Sequence, residues 1–178
     1  GRHFALTEYF TEPSVPQVPP PLDLPRLRRY LGRCPQGMFA TAHARFHPAF
    51  SDLLEELGFK QILLLRDPRD VAVSHSFYLL KDTLHQHHGY YAKTLKSDQD
   101  RLLASIRGFD TGKGAGEILP SIGESYGRYL RWLESPAILA VRFEDMVGAS
   151  GGGSEARQLD EIERIGDFVG RPLDGVGI

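Results

Sequence analysis

The stretch Leu65-Arg66-Asp67-Pro68-Arg69-Asp70-Val71-Ala72-Val73-Ser74 has residue types and spacing suited to holding an anion. The short apolar run Gln61–Leu65 has the length of a buried strand, and it delivers Arg66 onto Asp67 and Pro68, a cap and first-turn pair with which helices begin. A guanidinium, the free N–H groups of a helix start and the positive end of its dipole then converge on one place, which suits a phosphate or sulfate. A plainer reading stays open: Arg66 and Arg69 pair with Asp67 and Asp70 in a surface network. Two further groups follow apolar runs in the same way, His43 after Met38–Ala42 and Glu144-Asp145 after Ala137–Phe143. Histidine titrates near neutral pH and can take a proton from a hydroxyl. An isolated histidine at a strand end is more often simply hydrogen-bonded, and His47 competes with His43 for any catalytic role.

These positions need elements to hold them. Spacing predicts a helix over 24–31 stopped by Gly32, a strand over 38–43, a helix over 48–57 closed by Gly58, and a strand over 61–65. A helix from Pro68 to about His85 follows, then helices over 98–107 and 117–134 on either side of the glycine-rich 108–116, with Pro120 early in the second. A buried strand over 137–143, a loop over 148–154 and a closing helix marked by Leu159, Ile162, Ile165 and Val169 complete the pattern. Helices alternating with short apolar strands predict an α/β fold, a parallel sheet covered by helices on both faces. In such sheets ligands bind at the carboxyl ends of strands, where His43, Arg66 and Glu144-Asp145 fall. Residues 1–25, with prolines at 13, 16, 19, 20, 21 and 25, read as an extended connector preceding a domain over 26–178. The ends of the sequence read as those of a piece of a longer polypeptide.

Composition narrows the classes. The 178 residues suffice for one domain. Lys plus Arg is 21 against 23 for Asp plus Glu, giving a formal charge of −2 and a pI near 6.4, which argues against nucleic acid as a partner. A hydrophobic share of 41% argues against disorder along the whole length. The single cysteine, Cys34, excludes an internal disulfide and a cysteine-only zinc site. No apolar run approaches the ~20 residues of a membrane span and no secretory leader is visible, so the expected setting is cytoplasmic, without a membrane partner.

The run Lys60–Leu79, with Arg-Asp-Pro-Arg-Asp-Val-Ala-Val-Ser at its centre, strongly resembles the sulfotransferases that use 3′-phosphoadenosine 5′-phosphosulfate (PAPS) as co-substrate. Further segments resemble that family in the same order: Thr41-Ala42-His43, Ser125-Tyr126-Gly127-Arg128-Tyr129-Leu130, Val141–Met146, and Ile162–Leu173. The resemblance implies a P-loop-NTPase-like architecture and transfer of a sulfuryl group to a hydroxyl or amine of a small-molecule or glycan acceptor. It also implies site roles: His43 as catalytic base, Arg66 and Ser74 as the clamp on the 3′-phosphate, and Tyr126 beside the adenine. No metal is implied, since the donor is already activated. Nothing in residues 1–37 resembles the family's Gly-Thr-Thr-type loop for the 5′-phosphosulfate, Thr41 stands where many members carry lysine, and the C-terminal nucleotide-closing elements are not seen. The chain therefore reads as an incomplete sulfotransferase domain. A non-catalytic nucleotide-binding or interaction domain that has lost the 5′ loop is the alternative.

Weaker signals resolve to plainer readings. Gly108–Gly116 misses the Walker A spacing by one residue and has Gly114 in place of the hydroxyl residue, so it reads as a flexible loop. His85, His87 and His88, with His75 upstream, suggest a metal, but no carboxylate or cysteine completes a set at usual spacing, and a solvated helix end is expected instead. Arg26, Arg28, Arg29 and Arg33 read as a wet face, and Tyr129 with Trp132 as core.

Overall fold

The computed structural model describes residues 3–5, 22–112 and 118–172. In chain order the elements begin with β1 (His3–Ala5), α1 (Leu24–Leu31), β2 (Phe39–Thr41), α2 (Pro48–Glu56), β3 (Gln61–Leu65) and α3 (Pro68–Lys81). A π-type turn at Tyr90–Thr94 precedes α4 (Asp98–Arg107), β4 (Phe109–Asp110), β5 (Ile118–Leu119) and α5 (Ile122–Leu130). A 3₁₀ turn at Arg131–Glu134, β6 (Ile138–Arg142), α6 (Phe143–Val147), a second 3₁₀ turn at Gly148–Gly151 and α7 (Glu155–Phe168) follow. Among the described residues no helix is long and apolar enough to cross a membrane.

Helix α1 starts where Asp23 accepts a hydrogen bond from the Arg26 N–H at 2.9 Å, and it buries Leu27 and Leu31, which its periodicity places on one face. Phe50 and Leu53 of α2, Ala44 and Trp132 close the cluster around them. Each such large apolar side chain contributes roughly 1.5–3 kcal/mol by leaving water. The Trp132 indole N–H donates to the Ala44 carbonyl at 2.8 Å and stands edge-on to Phe46 and Phe50, with centroids 5.3 and 6.0 Å away. Trp132 therefore ties the segment after β2, which carries His43, to the core. On the outer side Arg28 and Glu56 form a bidentate pair at 2.5 and 2.6 Å, too exposed to matter much for stability.

The fold is mixed α and β with parallel pairing, as the alternation of elements implies. Strand β3 pairs in parallel with β6, Gln61 opposite Ile138 through Leu65 opposite Arg142. Strands β1 and β2 form a second parallel pair, and β4 with β5 an antiparallel one. Hydrogen bonding thus joins the described strands into three pairs instead of one continuous sheet. Burial on both faces is not met along β3: Ile62 is 43% and Leu64 55% exposed, so one face of the strand is open among the described residues.

Several boundaries differ from the sequence pattern, each for a local reason. His3–Ala5 is not connector but a strand against β2, and the first helix starts at Leu24, ahead of the domain boundary expected at 26. The rest of the expected connector up to residue 21 lies outside the described residues. The helix expected over 117–134 begins only at Ile122, because Pro120 lacks a donor and Ser121 forms a reciprocal capping box with Glu124. It then tightens to 3₁₀ over Arg131–Glu134. Helix α3 ends at Lys81, four residues before the expected His85, because Asp82 takes extended dihedrals and its carboxylate accepts the Leu84 N–H at 3.1 Å. The glycine at 108 is required where β4 begins: its φ is +72°, and a Cβ there would lie 2.3 Å from the Leu119 carbonyl oxygen.

Candidate functional site

Strands β3 and β6 run parallel and in register, so the residues that leave their carboxyl ends emerge side by side. Arg66 leaves β3 and Phe143 opens α6 after β6; the guanidinium lies over the Phe143 ring, 4.7 Å from its centroid. Arg66 is half-buried, and its Nε–H is shielded from solvent with no hydrogen-bond acceptor among the described residues. A buried guanidinium donor without a partner costs free energy that a bound acceptor would recover. The Arg66 carbonyl accepts a short hydrogen bond from the Tyr126 hydroxyl on α5, a residue 60 positions further along the chain. Burial and the nearby Glu144 carboxylate push the Tyr126 hydroxyl above its ordinary pKa, so it remains a donor.

The start of α3 is partly filled by the chain's own carboxylates. Asp67 caps the helix by accepting the Arg69 N–H at 2.8 Å, as its position before Pro68 predicts. Its side chain also receives the Arg69 guanidinium, with a shortest contact of 2.5 Å, and these bonds hold its carboxyl down to about 2. The Asp67 N–H donates to Glu144 Oε1 at 2.7 Å, which holds the Glu144 carboxyl below the usual range. Arg142 approaches Glu144 at 3.8 Å and Asp145 at 3.9 Å, and Arg157 reaches Asp145 at 3.7 Å. The surface-network reading is met for Arg69 and Asp67, while Arg66 takes no part in that pair.

Of the residues singled out in the sequence, Arg66 and Tyr126 meet, together with the Phe143-Glu144 segment. Ser74 lies exposed on α3, and its hydroxyl makes no hydrogen bond among the described residues. His43 is exposed in the segment between β2 and α2, as is His47 immediately before α2, and neither imidazole has a hydrogen bond or ion pair among the described residues, although the His47 carbonyl accepts the Phe50 and Ser51 N–H groups at 2.9 and 3.1 Å. Phe143 as the stacking partner of Arg66 was not singled out in the sequence, although an aromatic directly after a strand that pairs with β3 was the available signal. Between the end of α4, the β4–β5 hairpin and α5 lies a cleft of about 320 Å³, walled by Arg107, Asp110, Pro120, Glu124 and Arg128; neither His43 nor Arg66 lines it.

The histidine-rich segment is not a solvated helix end. His87 is 3% exposed, its ring 5.2 Å from that of His85 and 5.4 Å from that of Phe109. Among the described residues no group of three or more His, Cys, Asp or Glu side chains is placed to hold a metal ion.

Comparison of the chain with protein-family models, with curated proteins and with solved structures finds no match.

Proposed function

We propose that this chain is part of a PAPS-dependent sulfotransferase domain of P-loop-NTPase-like architecture, transferring a sulfuryl group to a hydroxyl or amine of a small-molecule or glycan acceptor. The observation that carries the reading is the Arg66 Nε–H, without an acceptor among the described residues and held beside Tyr126 and Phe143 at the carboxyl ends of a parallel strand pair. A phosphate supplies the acceptor atom that this donor lacks, and a guanidinium suits it in charge and shape. Three segments that resemble the family in sequence, around positions 66, 126 and 143–144, meet there, although 60 and 77 positions separate the bonded residues. In this reading Arg66 and Ser74 hold the 3′-phosphate and Tyr126 borders the adenine. His43 takes the acceptor proton as its oxygen or nitrogen bonds to sulfur. The bond from sulfur to the 5′-phosphate oxygen breaks, and 3′-phosphoadenosine 5′-phosphate departs.

Titration calorimetry with 3′-phosphoadenosine 5′-phosphate tests the clamp. Arg66→Ala should weaken binding by about 2–4 kcal/mol, the loss expected when a partly desolvated anion loses its charged partner. Equal affinity of the variant and the parent chain would refute the assignment. The second reading, a non-catalytic nucleotide-binding or interaction domain, is favoured by the exposure of His43 and its lack of an orienting hydrogen bond among the described residues, since a general base is ordinarily held by a third group. Nucleotide binding with no transfer from PAPS to a panel of alcohols and amines would decide for it.

A further inference from the structure

The cleft of about 320 Å³ between α4, the β4–β5 hairpin and α5 stands apart from Arg66 and His43. Its volume falls within the range of small-molecule sites. The hairpin supplies an apolar floor, with Phe109 paired to Leu119. Gly108, whose bare backbone lies against the Leu119 carbonyl, lets the two strands close there. Tyr90 stacks on the Phe109 ring at 4.2 Å and holds it in place. One side of the cleft carries Arg107, in the last turn of α4, and Asp110 of β4. The other side carries Glu124 and Arg128, one turn apart on α5. Each side thus offers one cation and one carboxylate. Tyr126, two positions from either, lies on the other face of α5, where it bonds the Arg66 carbonyl.

These charges are held by the chain but not used up by it. Glu124 Oε2 accepts the Ser121 N–H and hydroxyl at 2.9 and 2.8 Å. Those bonds, with Arg128 nearby, hold the Glu124 carboxyl below its usual range and keep it ionised. Asp110 Oδ1 accepts the Gly112 N–H at 2.7 Å. The second oxygen of each carboxylate, and both guanidinium groups, have no hydrogen bond among the described residues.

We propose that this cleft binds a zwitterion of the amino-acid type with an apolar side chain. Its ammonium faces Asp110 and Glu124, its carboxylate faces Arg107 and Arg128, and its side chain lies on Phe109 and Leu119. Charge complementarity selects this class. An anion alone would meet both carboxylates, and a cation alone both guanidinium groups, so a ligand of one sign loses to one pair what it gains from the other. A ligand that carries both signs gains from both pairs. The site does not depend on the nucleotide reading of Arg66.

Titration of the full chain with L-phenylalanine, followed by amide NMR, tests the site. Shifts should saturate and centre on residues 107–110 and 118–128, away from Arg66 and Phe143. N-acetyl-L-phenylalanine, which lacks the ammonium, and L-phenylalaninamide, which lacks the carboxylate, should each bind about three- to tenfold more weakly. Arg107→Gln with Arg128→Gln should weaken L-phenylalanine to the level of the amide while binding the amide no more weakly than the parent does. Shifts that do not saturate, that centre on Arg66, or that are alike for all three compounds overturn the proposal. Should the double variant fail to fold, the three compounds compared on the parent chain still decide.

Discussion

Trp132→Phe isolates the tie between the core and the segment that carries His43. The substitution keeps an aromatic ring among Phe46 and Phe50 but removes the indole N–H that bonds the Ala44 carbonyl at 2.8 Å. Leaving a buried carbonyl without its donor costs about 1–3 kcal/mol. The smaller ring buries less surface, for about 1 kcal/mol, and loosens two edge contacts worth about 0.5–1.5 kcal/mol each. A loss of about 3–4 kcal/mol is expected, a large part of the ~5–15 kcal/mol typical of a domain. Trp132 is the only tryptophan, so urea unfolding should be followed by far-ultraviolet circular dichroism for both proteins. The midpoint should fall with an unchanged slope. A loss below about 1 kcal/mol would show that the indole bond to Ala44 does not hold this segment, and the reasoning from Trp132 to the position of His43 would fail.

Gly108→Ala should destabilise the chain by about 2 kcal/mol, since it combines an unfavourable φ of +72° with a Cβ 2.3 Å from the Leu119 carbonyl; a thermal midpoint equal to that of the parent would refute the close approach. Glu144→Gln removes a negative charge from beside Arg66 while keeping an acceptor for the Asp67 N–H, so 3′-phosphoadenosine 5′-phosphate should bind about three- to tenfold more tightly at low salt, and unchanged affinity in calorimetry would detach Glu144 from the anion site.

Local signals were the legible ones. Asp67 and Pro68 specify the start of α3 because a cap acts across a few residues, and the bond from Arg69 N–H to Asp67 follows directly. The runs that become β3 and β6 were readable from their apolar character, and their parallel pairing from the helices between them. Strands of two or three residues, such as β1, β4 and β5, are too short to show a period and exist through their partners. The helix from Pro68 ends at Lys81 and not at about His85, because Asp82 leaves helical dihedrals and its carboxylate accepts the Leu84 N–H, a turn that the residue spacing does not show. The bond from Tyr126 to the Arg66 carbonyl spans 60 positions and has no local signature. In the sequence the role given to Tyr126 rests on family resemblance alone.

The start of α3 also changes where an anion would be recognised. On sequence grounds the amide-rich mouth of the helix and the Arg66 guanidinium act together. In the folded chain the Asp67 N–H is bonded to Glu144 and the Arg69 N–H to Asp67, and both carboxyls are kept ionised by those bonds. An anion placed on the helix axis would meet two negative charges before it met an open donor, and at short range that repulsion exceeds the attraction of a helix dipole. The Arg66 guanidinium lies to one side, over Phe143, its Nε–H without an acceptor among the described residues. If an anion binds here as proposed, its recognition falls to the guanidinium and to groups on its flank. On that flank Tyr126 fixes the Arg66 backbone while Phe143 fixes its side chain, so the donor is aimed before any ligand arrives.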